Sequence, residues 1–211
     1  MNGNHLFRHF MDNVQRYAEA YFELEEAQKD SSQSFIPKIG DQKTGVIGEA
    51  YIYQYLSELG HKSIEYGSAS EKGWDIKYID KNNSKEYKVQ VKTVSGYSTT
   101  RIISPIHDGW DHLYLLSIDQ KFIPDGLWLI DNPINIEWNV KLKDNVTNGK
   151  KSENGKKSKI EVKYLRGAKM KKNSVVDATE QQTTKLFKKA TNEFEKFTKV
   201  MEKYFSEELD K

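Results

Sequence analysis

The sequence predicts an α/β domain, and three observations carry that prediction: an amphipathic helical period near the start, a run of short strand-like segments through the middle, and a second helical period towards the end. The 211 residues suit one domain with a sizeable core, so 1–211 is read as a single unit. The composition, with 36% hydrophobic and 30% charged residues, is that of a polar globular chain. There is no cysteine, which excludes disulfides, thiolate zinc sites and cysteine nucleophiles. No apolar run approaches the roughly 18 residues of a membrane span, and MNGNHLFRHFMDN lacks the apolar stretch of a signal peptide. The expectation is a cytoplasmic protein without a membrane partner.

Residues 4–29 carry Phe7, Phe10, Val14, Tyr17, Tyr21 and Leu24 at alternating spacings of three and four, the stripe of a helix packed on a core. A polar run, then Pro37 and Gly40, mark a connection. A second helix is expected over 44–59, with Asp41 or Thr44 as its N-cap and Gly60 just past its end. Strands follow at 62–66, 73–80, 86–94, 112–118 and 127–131, with a short irregular piece near 104–110.

Beyond Pro133, Ile134 to Leu142 alternate apolar and polar, as do Ile160, Val162 and Tyr164. The Asn-, Gly- and Lys-rich stretch between them makes 134–170 a β-ribbon with a basic tip. Last, Leu186, Ala190, Phe194, Phe197, Met201 and Tyr204 form one stripe of a long helix over 178–208. The two terminal stripes pack on the chain's own core or join two protomers.

Charge divides the chain. Residues 1–140 hold 14 Lys or Arg against 20 Asp or Glu; residues 141–172 hold 12 against 3. Lys150, Lys151, Lys156, Lys157 and Lys159 place five positive charges in ten residues, which suits contact with nucleic-acid phosphates as well as a solvated loop.

The densest chemistry lies in GWDIKYIDKNNSKEYKVQVKTV, residues 73–94. Asn82-Asn83 signals a hairpin turn, and loops of two or four residues give the same register. Trp74 then faces Val91, Ile76 faces Val89 and Tyr78 faces Tyr87, an apolar side on both strands. On the other side Asp75 pairs with Gln90 and Lys77 with Lys88, and Lys92 points the same way. Asp75, the Gln90 side-chain oxygen and the Val91 carbonyl are oxygen donors of the kind Mg²⁺ takes. Lys92 is suited to orient a metal-bound water or to steady charge growing on a phosphate. An ordinary polar hairpin face has the same look. In the preceding helix Glu49 sits amid Val46, Tyr53 and Leu56, so it either reaches solvent or aims at something specific. Gly45 and Gly48 suit a helix that approaches a sheet closely.

The series Gly45, Gly48, Glu49, then Gly-Trp-Asp-Ile at 73–76 and Val-Gln-Val-Lys at 89–92, resembles the PD-(D/E)XK nuclease superfamily in its Gln-x-Lys variant; residues 110–119 resemble the strand that follows its active-site hairpin. The resemblance implies a restriction-endonuclease-like central mixed sheet flanked by helices, here with terminal helices and an added basic β-ribbon, and makes 40–133 the catalytic core. It implies Mg²⁺, replaceable by Mn²⁺, held by Glu49, Asp75, Gln90 and the Val91 carbonyl, with Lys92 as the catalytic lysine. Trp74 stands where the family name has proline, and Gln90 replaces an acid. The implied activity is hydrolysis of double-stranded DNA by a type II-like restriction or defence nuclease acting as a homodimer, without a nucleotide cofactor. A structure-selective repair or recombination nuclease and an inactive DNA-binding relative are the alternatives.

Two smaller groups weigh less. His5 and His9, four apart on the first helix, have a spacing that can bind a metal but read rather as surface histidines; His107, Asp108, Asp111 and His112 would serve proton shuttling or substrate contact but read rather as a turn leading into a strand. Zinc-binding HExxH spacing, a glycine-rich phosphate loop and a G-x-S-x-G elbow are all absent from the sequence.

Overall fold

A computed structural model describes residues 3–30, 43–68, 73–98, 106–131, 139–144, 159–165, 168–171, 174–177 and 190–205. The architecture is α/β: a six-stranded mixed sheet flanked by helices. Among the described residues no helix is long and apolar enough to cross a membrane.

Helix α1 spans Gly3–Asp30 and α2 Lys43–Glu58. Thr44 lies inside α2 with its side chain buried, so it is not the N-cap; Asp41 lies outside the described residues. The helix ends as expected. Gly60 adopts φ +83°, and His61 N–H reaches back to the Leu56 carbonyl, a closure that favours glycine.

Strands β1 (Lys62–Tyr66), β2 (Ile76–Ile79), β3 (Glu86–Val94), β5 (His112–Ile118), β6 (Pro124–Asp131) and β11 (Thr191–Asn192) form the main sheet in that spatial order. All its neighbours are antiparallel except β3 and β5, which are parallel. The hairpin register is the expected one: Ile76 opposite Val89, Lys77 opposite Lys88 and Tyr78 opposite Tyr87. Its turn is the four-residue alternative. Asp80 and Lys85 close it, Asp80 Oδ1 accepts the Asn82 and Asn83 N–H groups, and positive φ falls on Ser84 rather than on either asparagine.

One face of the sheet carries the main core. Tyr51, Ile52 and Tyr55 of α2 pack with Ile76, Val89, Tyr114 and Leu116, and with Phe7 and Val14 of α1. The α1 stripe is therefore used within the chain. Leu113 and Leu115 pair with Ile130 and Trp128, all four buried, and strand alternation puts them on the opposite face.

Two of these elements change. The strand predicted over 127–131 begins earlier, at Pro124, where the first position of a strand tolerates a residue without an N–H. The helix predicted over 178–208 does not run through 190–193: Thr191 and Asn192 pair with Leu129 and Trp128 as β11, and helix α3 spans only Phe194–Phe205. Asn192 Oδ1 accepts the Phe194 N–H, and Glu193 N–H bonds to the Leu127 carbonyl, so local side-chain bonding and a free sheet edge outweigh the helical period. Residues 178–189 lie outside the described residues.

The ribbon is present as β7 (Asn139–Asp144) antiparallel to β8 (Lys159–Leu165). It is wider than expected, because β4 (Ile106–His107), from the piece read as irregular, pairs with β8 to make a three-stranded sheet. A further hairpin, β9 (Ala168–Lys171) with β10 (Ser174–Asp177), had no counterpart in the sequence reading. Lys150, Lys151, Lys156 and Lys157 lie outside the described residues, and Lys159 opens β8 opposite Asp144.

Candidate functional site

The strand alternation and the close approach of one helix position this site. Strand β2 stops at Ile76, opposite Val89, so β3 from Gln90 onward has no β2 partner on that side. Asp75 occupies the place where the ladder opens. Its N–H still bonds to the Val89 carbonyl at 2.7 Å, but its carboxylate Oδ2, rather than a backbone oxygen, accepts the Val91 N–H at 2.7 Å. The simple pairing of Asp75 with Gln90 is thus replaced by an irregularity that fixes the carboxylate. The N–H and C=O of one extended residue face the same edge, so the Val91 carbonyl points to the Asp75 side as well.

Trp74 departs from its expected place. It does not continue the apolar face opposite Val91; its ring lies 5.7 Å from the Lys88 ammonium, on the side expected to be polar. The loss of the ladder at Asp75 releases the preceding residue from strict alternation.

Helix α2 brings Glu49 to the opening. It lies close to β3 at Gly48, where an added Cβ would meet Thr93 Oγ1 at 1.8 Å. Gly48 is therefore required by close approach, as expected; Gly45 is not, having open space around it. Glu49, Asp75 and Lys92 act on one another electrostatically. Burial, then the Asp75 charge, push Glu49 up to about 7 against the pull of Lys92. Burial also raises Asp75, opposed by the Val91 N–H, by Lys92 and by His107. Burial lowers Lys92, opposed by Asp75 and Glu49. Three partly buried ionisable groups from three parts of the chain thus share one small volume.

Gln90 is held differently. Its side chain is almost fully buried, its Nε2 donates to the Gly73 carbonyl at 3.2 Å, and its Oε1 accepts the His107 N–H at 3.2 Å. The carboxamide ties the entry to the hairpin to β4, and its oxygen keeps one lone pair. Gln90→Met should remove both of these part-buried hydrogen bonds and lower unfolding stability by about 2 kcal/mol. Denaturant titration checks this, and unchanged stability would remove the tie.

The donor set fits a hard divalent cation: two carboxylates, with Asp75 Oδ1 uncommitted among the described residues, and a backbone carbonyl. Among the described residues no group of three His, Cys, Asp or Glu side chains is disposed to hold a metal. A Mg²⁺ site commonly needs only one or two carboxylates beside waters and phosphate oxygens.

His107, expected in a turn before a strand, lies instead in β4, and its charge bears on Asp75. The rest of that group is structural: Asp108 Oδ1 accepts the Gly109 N–H, Asp111 Oδ2 accepts the Lys88 N–H, and Trp110 Nε1 donates to the His107 carbonyl. His9 contacts Asn13 one turn further along the same helix. Tyr66, half exposed on β1, is also near: burial, Tyr53 and Glu49 together push its hydroxyl up to about 12. No family model matches the chain, and no curated protein matches it.

Proposed function

We propose that the chain is a Mg²⁺-dependent endonuclease of the PD-(D/E)XK kind that hydrolyses phosphodiester bonds in double-stranded DNA, in a type II-like restriction or defence role and as a homodimer. The observation that carries the reading is the convergence of Glu49, Asp75 and Lys92 where β2 ends and β3 runs on paired only with β5. Glu49, Asp75 and the Val91 carbonyl would hold the ion, and Gln90 would orient the site from behind. When bound, Mg²⁺ or Mn²⁺ supplies Lewis acidity and an acidified water. Lys92, whose two carboxylate neighbours oppose the effect of its burial, would donate hydrogen bonds to the attacking water or to a phosphate oxygen as charge gathers there. The Lys150, Lys151, Lys156, Lys157 and Lys159 cluster would contact phosphates away from the cut. Phe7 and Val14 of the α1 stripe are buried in the chain's own core, so a dimer contact would use other surfaces.

A second reading has its own support. Both polar ends of Gln90 are engaged by backbone groups, as in a DNA-binding relative that no longer cleaves. Incubating the full chain with plasmid and phage DNA in Mg²⁺ separates the two: discrete fragments support a sequence-specific nuclease, a smear an unspecific one, and intact DNA the inactive relative. A junction substrate tests for structure-selective cutting.

Glu49 also gives a pH prediction. The unfolded chain ionises it near its ordinary 4.5, whereas the folded protein holds the proton to about 7. Its stabilising share is therefore complete below 4.5 and is lost as pH rises through about 7. Between those limits the metal-free protein should lose roughly 1–2 kcal/mol, a figure reduced for the solvent that reaches the group. Glu49→Gln should flatten the decline, and saturating Mg²⁺ should offset it. Unfolding curves at a series of pH values check both.

A further inference from the structure

A cleft of about 870 Å³ opens between α1 and α2, within the size range of small-ligand sites. Leu6, Phe10, Val46, Tyr53 and Tyr66 line it, and Glu49 stands in its wall. Leu6, Val46 and Tyr66 are each more than half exposed, and they gather here rather than scatter over the surface. Tyr66 lies flat on Tyr53, with ring centres 4.8 Å apart and planes 17° apart. Tyr53 is fixed in turn by its hydroxyl, which donates to the Ile64 carbonyl at 3.1 Å. The result is an aromatic plate with a rigid backing and a half-exposed outer ring.

We infer that this cleft is a subsite for an unpaired nucleobase belonging to the strand held at Asp75 and Lys92. The inference rests on the nuclease reading and specifies its substrate. Glu49 is common to the cleft and to the acid–lysine cluster, so a strand whose phosphate lies beside Lys92 has its adjoining base at the mouth of the cleft. A base offers a flat face for Tyr66 and a hydrogen-bonding edge for the Glu49 carboxyl. An apolar helix from a second copy offers no such edge and would bury Glu49 unmatched. Stacking on an aromatic side chain is sequence-tolerant, so the subsite selects for an unstacked nucleotide rather than for a particular base.

The test uses the full chain with Ca²⁺ in place of Mg²⁺, so that binding is read without cutting. The probes are a single-stranded oligonucleotide carrying one fluorescent purine analogue and its blunt duplex. Binding of the single strand should quench the analogue. Tyr66→Ala should abolish the quench and weaken affinity about tenfold or more, the usual worth of one stacked base, and Tyr66→Phe should retain both. Duplex affinity should change little. Unchanged quench and affinity in Tyr66→Ala overturn the subsite, as does a single strand that does not bind. It is equally overturned if Leu6→Asp converts a dimer to a monomer in sedimentation while Tyr66→Ala leaves the quench intact, because the face then joins two copies. Plasmid cleavage in Mg²⁺ judges the nuclease reading separately. Cutting without any Tyr66 effect sinks the subsite alone; a Tyr66-dependent quench without cutting leaves the base site on a chain that only binds.

Discussion

Asp75→Asn and Lys92→Ala are each expected to lower Mg²⁺-dependent DNA cleavage at least about 1000-fold, equivalent to roughly 4 kcal/mol of lost transition-state stabilisation. The two substitutions act differently. Asparagine keeps an oxygen that can accept the Val91 N–H, so the irregular end of the ladder stays closed while the charge facing the cation disappears. Alanine at 75 would orphan that N–H and mix a folding defect into the result. Lys92→Ala removes a cation whose pull on both neighbouring carboxyls opposes the effect of their burial, so Glu49 and Asp75 should each keep a proton to still higher pH. Divalent-ion affinity should then fall together with turnover. Supercoiled-plasmid cleavage, with metal titration of the same proteins, measures both effects. Full activity in either variant would remove that residue from the chemistry.

Gly48→Ala is expected to cost about 2–3 kcal/mol of folding stability, far more than the usual gain from alanine in a helix would suggest. The new methyl would stand 1.8 Å from Thr93 Oγ1 and 2.9 Å from its Cβ, so either α2 lifts from β3 or the threonine shifts in a buried space. Thr93→Ala alone should be nearly neutral, since Thr93 Oγ1 is buried and makes no hydrogen bond among the described residues. In the double variant it should recover part of the loss, because the closest clash is with the atom it removes. Denaturant unfolding of the four proteins closes the cycle. A movement of α2 also moves Glu49, the next residue, so Gly48→Ala should weaken metal binding where Gly45→Ala, with open space at its Cβ, does not.

Legibility in the sequence followed the range of the forces involved. The hairpin could be read because turn residues and period-two alternation are local, and two strands agreeing on one apolar face left a single register. The α2 end at Gly60 was local for the same reason. By contrast, nothing near residues 190–193 announced that the open edge of β6 would take Thr191 and Asn192 out of a helical stripe. Gln90 showed a similar limit: its spacing suggested a ligand, but Gly73 and His107, distant in sequence, supply its hydrogen bonds.

What the sequence determined by itself is the set of groups and the sides they occupy: an acid at the hairpin entry, Gln90 and Lys92 together on one strand face, and a helix bearing Glu49 whose glycine permits contact. Only the tertiary structure decided that β2 stops one residue short of Asp75, which leaves the β2 side of β3 open where those groups meet and turns a backbone N–H towards a carboxylate. Periodicity is written along the chain, whereas the end of a ladder, a closed helix–sheet contact and the desolvation that shifts Glu49 depend on what packs from elsewhere.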